Sequence, residues 1–233
     1  ARGGLRDIQA LRAISLSAAI VVSLEKISWA EGTLNNVRES LHIASGRGKD
    51  RLLFQEQDKV AKLLNYPDAD AMMSDVARAA RTVDYLLNYT WHALEHKGKD
   101  GLGRILKRPR ITTVAKNVSA SNREIVIDPF TSLNDDPVCG LRAAATAAQL
   151  GLPLSLDTCT ELSENLKSGQ GKLPTPWPRE ARELLISLIG AGEAMVGIFE
   201  SLDQEEIIFE WIPEWMSVRS LPQRNALHRH TVD

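Results

Sequence analysis

The residues best suited to chemistry stand at the start of the chain, in the segment Gly3-Gly4-Leu5-Arg6-Asp7-Ile8-Gln9. Glycine lets the backbone approach a ligand closely, and a guanidinium can bind a phosphate through two parallel hydrogen bonds. An acidic side chain in the first turn of a helix is favoured by the helix dipole. This pattern is typical of the edge of an active site. Two structural interpretations stay open: a plain loop and helix start, or an ion pair from Arg6 that ties the first helix to its neighbours.

A second group of charges lies in the loop Gly46-Arg47-Gly48-Lys49-Asp50-Arg51, which concentrates cations around two glycines. We interpret Asp50 and Arg51 as a clamp that holds the loop. We expect Asp50 to cap the helix that follows, because aspartate is a favoured N-cap residue. His42 stands on the preceding helix, and we interpret it as a packed or solvent-edge histidine and not as a base.

Three residues near the C-terminus, His228, His230 and Asp233, could be taken for a metal cluster. His230 and Asp233 share one face if this stretch is helical. A metal site needs three or four converging ligands, and further candidates are missing around them. We therefore predict no metal site in this chain. The alternative role of these groups is to orient the ligands of a metal from behind.

Composition restricts the classes of function. The chain has 233 residues, a formal net charge of -2, 43% hydrophobic and 25% charged residues, so nothing draws it as a whole to nucleic acid or to anionic lipid. The most apolar run, Ile14 to Leu24, is too short to span a membrane. Cys139 and Cys159 have no CxxC spacing, so a reduced cytoplasmic setting is expected. Both ends look cut, and we expect a fragment of a longer polypeptide.

Apolar residues at helical spacing predict four helices in the first part of the chain. The fourth is expected to be the longest, with Asp68 or Asp70 as its cap and an apolar stripe that passes through Thr90 or Trp91. Short connections favour an antiparallel bundle. The expected helices are Leu5 to Leu24, which should become buried on all sides, about Ser28 to Ser45, Leu52 to Leu64, and about Ala69 to Glu95.

The rest of the chain has a different composition. Residues 97–110 are rich in Lys, Arg and Gly and predict a flexible basic linker. Ile111 to Val118 and Glu124 to Ile127 predict a β-hairpin, which must lie against helices because a lone hairpin is marginally stable. Shorter helices are expected at about 137–150, 157–167, 179–189, 194–202, 205–211 and from 225. The predicted class is mainly α: an antiparallel helical bundle with a small β-hairpin and a second group of short helices.

Three separated motifs carry one resemblance. They are the N-terminal segment above, then Asp50-Arg51-Leu52-Leu53-Phe54, and finally Ile212-Pro213-Glu214-Trp215 leading to the ending His228-Arg229-His230-Thr231-Val232-Asp233. In this order they resemble the bacterial protein-PII uridylyltransferase/uridylyl-removing enzymes over essentially the whole chain. The run Pro176-Trp177-Pro178-Arg179 is similar to the actinobacterial branch, in which the transferred nucleotide can be AMP instead of UMP.

The resemblance implies an enzyme with two opposed activities. A nucleotidyltransferase domain moves a nucleotidyl group from UTP or ATP, with Mg²⁺, to a tyrosine of the PII nitrogen-regulatory protein. A metal-dependent HD phosphodiesterase domain removes it, and glutamine acts as effector. The resemblance places the N-terminal motif beside the nucleotide pocket, so we expect Gly3, Gly4 and Arg6 to bind nucleotide and Asp7 to act in catalysis. Arg47, Lys49 and Arg51 could face either this pocket or the PII protein, and we predict that they bind the partner.

The same resemblance divides the chain into parts of that longer enzyme. The parts are the edge of the nucleotidyltransferase domain in 1–12, a helical bundle in 13–97, the basic linker and hairpin in 98–135, a second helical group in 136–211 and the start of an HD domain in 212–233. The transferase signature, a Gly-Ser pair followed by an Asp-x-Asp strand, is absent from the sequence. We therefore expect this chain to hold no Mg²⁺ and to transfer no nucleotide by itself.

Two rival hypotheses stay open. The first motif alone is shared with the glutamine synthetase adenylyltransferases, which act on a different protein substrate. The predicted hairpin and the ending Thr231-Val232-Asp233 favour the PII-modifying family instead. The second rival is a non-catalytic helical interaction module whose basic stretch, Lys97 to Arg110, docks an acidic partner. Salt-sensitive binding without nucleotide would be its signature.

Overall fold

The computed structural model of the chain describes residues 2–17, 23–99, 111–223 and 231–232. Most of the predicted basic linker (100–110) and most of the predicted last helix, with His228, His230 and Asp233, lie outside the described residues. The chain divides into two compact units. The first comprises residues 1–98 and 214–233, and the second comprises residues 99–213.

The described helices of the first unit agree with a mainly α class. As predicted, α4 is the longest helix of the described chain, with 31 residues. The predicted fold class is confirmed. The helices are α1 (Leu5–Leu16), α2 (Leu24–Ser45), α3 (Phe54–Leu63), α4 (Ala69–Lys99) and the short α10 (Trp215–Val218).

The apolar run between α1 and α2 does not form the single buried helix that its composition predicts. Leu24 begins α2, and the side chains of Leu16 and Leu24 are 87% and 55% exposed. Two serines explain the difference, because serine side chains compete with helical hydrogen bonds and favour helix ends. Ser17 donates to the carbonyl of Ile14 at the end of α1, and Ser23 accepts from the N–H of Lys26 at the start of α2.

Two apolar clusters form the core of the first unit. In one, α1 and α2 pack on α4 through fully buried side chains that include Ile8, Leu11, Ile27 and Val83. In the other, α2 and α3 pack on the N-terminal part of α4 through Val37, Leu41, Val60 and Met72. Burial of this kind contributes about 25 cal/mol per Å² of apolar area. The long helix α4 is therefore the common support of the unit.

The ends of α4 follow local signals. Oδ1 of Asp68 accepts the N–H of Ala71 over 2.8 Å, so the predicted N-cap is confirmed. Thr90 is fully buried and Trp91 is half-exposed, so the apolar stripe passes through Thr90. Residues 97–99, expected in the linker, are the last turn of α4.

The second unit joins a small sheet to short helices. Its strands β1 (Thr112–Ala115), β2 (Val118–Ser121) and β3 (Glu124–Ile127) form an antiparallel sheet in the order β1-β2-β3. The sequence predicts two strands, and Ser119 to Ser121, expected in a loop, lie in the middle strand. Asn117 has φ 60° and Asn122 has φ 51°, and asparagine tolerates this left-handed region, so each can turn the chain within two residues. The helices are α5 (Cys139–Leu150), α6 (Leu156–Lys167), α7 (Arg179–Ile189), α8 (Glu193–Gln204) and α9 (Ile208–Trp211).

The helix α5 is the centre of the second unit. Its residues from Cys139 to Ala148 are all buried, and it packs on the sheet, α7 and α8. A Cβ on Gly140 would lie 3.0 Å from Leu162 and 3.2 Å from Trp211, so this small residue allows close packing. Gly151 ends α5 with φ 61°, as glycine does at a helix C-terminus.

A membrane-spanning helix must be both long and apolar. No single helix there is both long and apolar enough to cross a bilayer, and the pair α7 and α8, bent by 117°, passes the test of length and composition only when taken together.

Candidate functional site

The N-terminal motif lies on the backbone of α4. Gly3 is buried and has φ +84°, a region that other L-residues rarely adopt. A Cβ at this position would stand 2.3 Å from the carbonyl oxygen of Ala80. Gly4 is different, since its φ is -104° and nothing lies within 4 Å of the Cβ that it lacks. Gly3 therefore makes the close approach predicted for this glycine pair. It approaches the backbone of α4 and not a ligand.

The carboxylate of Asp7 closes the turn at the start of α1. Its Oδ2 accepts the backbone N–H of Gly3 over 2.7 Å and that of Gly4 over 3.1 Å. Asp7 occupies the third position of α1 and is half-buried. An acidic side chain here satisfies N–H groups that have no partner within the helix. Oδ2 therefore has a structural task, and Oδ1 has no hydrogen-bond partner among the described residues.

Arg6 is exposed at the start of α1. Within the described part of the chain its guanidinium forms no ion pair and no hydrogen bond, so the predicted pairing with an aspartate is not observed there. A guanidinium with its donors unused is available to bind an anion.

Arg2 anchors the same segment from the other side, and the sequence analysis did not select it. Its Nε lies 3.0 Å from Oδ1 of Asp84, and its Nη2 donates to Oδ1 of Asn88. Asn88 in turn donates to Oδ2 of Asp84 over 3.1 Å. Only the spacing of Asp84 and Asn88, four residues apart on one helix, could have indicated a shared partner.

The loop between α2 and α3 is organised differently from the prediction. Asp50 does not cap α3. Its Oδ1 accepts Nε of Arg38 over 2.7 Å, and the Nε2 of His42 lies 3.7 Å away. The hydrogen bond and charge of Arg38 lower the pKa of Asp50. Arg38, on the preceding helix α2, therefore binds the carboxylate that was predicted to cap α3.

The start of α3 uses Glu56 instead, in the way that α1 uses Asp7. Its Oε2 accepts the N–H of Leu53 over 3.2 Å, and its Oε1 accepts Nζ of Lys49 over 3.3 Å. The backbone hydrogen bond from Leu53 is the largest influence on Glu56, and it lowers the pKa of this carboxyl. The exposed Arg47 and Arg51 form no ion pair within the described residues. Of the three predicted partner-binding cations, these two are available to another molecule.

A chain of polar contacts links the loop after α3 to α4 and α2. Tyr66 donates to Oδ2 of Asp75 over 2.8 Å, and Oδ1 of Asp75 accepts from Arg78 over 2.7 Å. The guanidinium of Arg78 lies 4.7 Å from the ring centre of Trp29. Burial, with the hydrogen bond to Asp75, raises the pKa of Tyr66 to about 12. This neutral tyrosine and its partners stabilise the bundle.

The second unit contains a buried network of ion pairs that was not predicted from the sequence. Arg142 on α5 is 6% exposed and donates to both oxygens of Asp136, over 2.8 and 3.2 Å. It also donates to Oε1 of Glu180 over 2.8 Å and to the carbonyl of Lys116 over 3.2 Å. Asn117 donates to Asp136 over 2.8 Å. The network joins the first turn of the sheet to α5 and α7.

The charges in this network hold each other ionised. Burial alone would raise the pKa of Asp136, but the hydrogen bonds and charge of Arg142 outweigh it and lower that pKa. Burial acts against the charged form of Arg142, and its two carboxylate partners raise its pKa nevertheless. Burial, with the nearby charge of Asp136, raises the pKa of Cys139 to about 11, so this thiol stays protonated. These groups form a structural clamp and not a nucleophilic site.

The comparison with protein families adds the decisive observation at the first unit. Residues 1–91 match the family model described as GlnD PII-uridylyltransferase. This part of the chain is therefore similar to PII-uridylyltransferases. The resemblance read from the three motifs is confirmed. The matched range contains the N-terminal motif, the loop between α2 and α3, and most of α4.

Curated relatives extend the similarity to the whole chain. A "bifunctional uridylyltransferase/uridylyl-removing enzyme" of Streptomyces coelicolor is 40% identical and aligns with 100% of this chain and 29% of its own length. Relatives with the same description in Mycobacterium tuberculosis and Corynebacterium glutamicum are 33% and 26% identical, again over 100% of this chain, with 29% and 32% of their own lengths covered. The chain thus spans less than a third of these relatives. No solved structure matches it significantly.

The residues that the structure describes do not fit a Mg²⁺ site. Among those residues no group of three or more His, Cys, Asp or Glu side chains converges. At the N-terminal motif, Oδ2 of Asp7 is taken by two N–H groups, and Mg²⁺ needs several oxygen ligands in an octahedral arrangement. His228, His230 and Asp233 lie outside the described residues.

Proposed function

We propose that this chain is the central helical part of an enzyme that transfers a nucleotidyl group to a tyrosine of the PII protein and removes it again. The observation that carries the proposal is the similarity of the entire chain to bifunctional uridylyltransferase/uridylyl-removing enzymes at up to 40% identity. Because the chain spans 29% of that relative, the activities belong to the longer enzyme. A cytoplasmic enzyme is the setting that fits two buried cysteines, Cys139 and Cys159, that form no disulfide.

Within that enzyme, the N-terminal motif borders the nucleotide pocket. The exposed Arg6 is the residue that we assign to a phosphate of UTP or ATP, because its donors are unused and guanidinium matches phosphate geometry. Asp7 holds the turn from which Arg6 projects, and its Oδ1 is the group left for catalysis or for orienting Arg6. Gly3 and Gly4 place this turn beside the ligand, with Gly3 fixed on α4.

Chemistry at the pocket requires residues beyond this chain. Phosphoryl and nucleotidyl transfer depends on metal ions that neutralise the developing charge and align the attacking hydroxyl. We propose Mg²⁺ as that metal in the longer enzyme, held by ligands that the described residues do not supply. This chain alone should therefore bind UTP weakly and transfer nothing.

The exposed cations of the loop between α2 and α3 are proposed to contact the PII protein. Arg47 and Arg51 are unpaired among the described residues, whereas Lys49 is engaged by Glu56. Unpaired surface cations steer an acidic partner and raise its rate of association. Glutamine is the proposed effector of the longer enzyme, and we assign it no contact in this chain.

One assay separates the proposal from its rival. The full-length enzyme would be given PII protein or glutamine synthetase, with UTP or ATP and Mg²⁺, and the mass of each protein substrate would be measured. We expect PII to gain one nucleotide and glutamine synthetase to gain none, and the gain in mass identifies UMP or AMP. Modification of glutamine synthetase alone would replace this proposal with the adenylyltransferase hypothesis.

A further inference from the structure

One face of α4 contacts the N-terminal segment at three successive turns. Ala80, Asp84 and Asn88 are spaced by four residues, so they stand above one another on the helix. Gly3 packs on the backbone of Ala80, and Arg2 contacts both Asp84 and Asn88. We call these three residues the α4 dock. They bind the two residues that precede the turn into α1.

Arg2 is held in the dock by a closed set of contacts. Its Nε lies 3.0 Å from Oδ1 of Asp84, and its Nη2 donates to Oδ1 of Asn88. Nδ2 of Asn88 donates to Oδ2 of Asp84 over 3.1 Å, which holds these two side chains together. The ion pair with Asp84 and the hydrogen bond to Asn88 together restrict where the planar guanidinium of Arg2 can lie. The dock thus restricts the position of the backbone at Arg2, where the turn into α1 begins.

The turn after Arg2 is held from both sides. The dock fixes it through Arg2 and Gly3, and Asp7 accepts the N–H groups of Gly3 and Gly4. Arg6 is the second residue of α1, which follows this turn directly, so a displacement of the turn would displace Arg6.

The contact between Arg2 and Asp84 is partly exposed. We therefore expect it to affect the position of Arg2 more than the stability of the fold. The side chains of Arg2 and Asp84 are 58% and 38% exposed. Water screens an ion pair of this kind, and its contribution to folding is small. Removing it should therefore leave the fold intact, which makes a positional role measurable.

We propose that Asp84 and Asn88 are positioning residues for nucleotidyl transfer, acting through Arg2 on the turn that carries Arg6 and Asp7. The inference rests on the proposed function, because it assumes that this turn borders the nucleotide pocket. Misplacing a binding group by about 1 Å can reduce an enzymatic rate by roughly a hundredfold.

The test compares Asp84→Ala and Asn88→Ala with the matched control Glu39→Ala in the full-length enzyme. Glu39 is an exposed acid on α2, away from the dock. We expect each dock variant to lower kcat for transfer about tenfold or more while KM for UTP changes by less than about twofold. The rate of nucleotide removal and the thermal midpoint should stay at the level of Glu39→Ala.

A double variant shows whether the effect passes through Arg2. If Arg2 and Asp84 act through one contact, Arg2→Ala combined with Asp84→Ala should transfer no more slowly than either single variant. Additive losses would overturn the proposal. Equal losses of transfer, removal and thermal midpoint would also overturn it, because they indicate a folding role.

Arg6→Ala separates a failure of this inference from a failure of the proposed function. If Arg6→Ala lowers transfer and the dock variants do not, only the positioning role is wrong. If Arg6→Ala also leaves transfer unchanged, the N-terminal motif does not border the nucleotide pocket and both statements fall.

Discussion

Gly3 lies so close to Ala80 that no side chain fits between them: a Cβ on Gly3 would be 2.3 Å from the Ala80 carbonyl oxygen. The next residue of α4, Arg81, donates to Oγ of the buried Ser220 over 3.1 Å. One turn of α4 therefore contacts both the N-terminal motif and the segment that follows the second unit. The two segments at the edges of the first unit, residues 2–4 and the residues after 213, therefore both pack on α4.

Replacing Gly3 tests this close contact directly. Gly3→Ala should destabilise the first unit by about 2 kcal/mol or more, because the new Cβ collides with backbone and the φ of +84° is unfavourable for alanine. Gly4→Ala is the matched control, since its position is open, and it should cost less than about 1 kcal/mol. Urea unfolding followed by circular dichroism measures both values. Equal values for the two variants would contradict the packing described here.

The buried network around Arg142 should dominate the stability of the second unit. Arg142→Met removes the buried charged partner of Asp136 and leaves only the exposed Lys116, whose Nζ lies 3.6 Å from Oδ2 of Asp136, so we expect a loss of about 3 kcal/mol. The exposed pair of Arg179 and Glu183 provides a control. Arg179→Met should cost less than about 1 kcal/mol. Thermal unfolding of the two variants compares them, and a similar loss in both would show that the network contributes little.

Glu124 should make the second unit less stable as the pH rises. Burial, with the charge of Asp157, raises its pKa from 4.5 to about 7 in the folded chain. The folded state therefore holds a proton that the unfolded state releases, and this stabilisation is lost as the pH rises from about 4.5 to about 7. Glu124→Gln should be more stable than the unchanged chain at pH 8 and equal to it near pH 4. Unfolding measured at both values checks this, with the exposed Glu161→Gln as control, and equal stability of both chains at pH 8 would be the contrary result.

We expect the exposed arginines of the loop between α2 and α3 to affect binding of the protein substrate and not binding of the nucleotide. Arg47→Ala with Arg51→Ala should raise KM for PII about fivefold and weaken its dependence on salt, because surface cations mainly steer association. KM for UTP should not change. Arg182→Ala, which removes an exposed cation from α7, is the control for charge. An unchanged KM for PII in the double variant would remove these residues from the interface.

Some helix ends follow local signals in the sequence. Asp68, Gly151 and Ser155 lie at helix boundaries, as their residue types favour, because a cap depends on neighbours within a few positions. The strand Val118–Ser121 was hidden, since its small polar residues have weak β propensity. The two turns that bound it depend on asparagines that are also common in plain loops.

Contacts between distant residues could not be predicted in the same way. Arg2 and Asn88 are separated by 86 positions, and Arg142 and Glu180 by 38. Asp50 has the residue type of a cap, and its actual partner, Arg38, is fixed by how α2 and the loop pack together. The sequence located the N-terminal motif of the candidate site, but only the fold shows that Asp7 has a structural task and that Arg6 is exposed.

Arg6 offers the most direct test of the account, because its side chain is exposed and has no partner among the described residues. In the full-length enzyme, kcat/KM for UTP would be measured for Arg6→Ala, together with the rate of nucleotide removal and the thermal midpoint. The account predicts a loss of transfer of at least about tenfold, as expected when a hydrogen bond to a charged group is removed, with removal and thermal midpoint unchanged. Transfer at the unmodified rate would contradict the claim that this motif borders the nucleotide pocket.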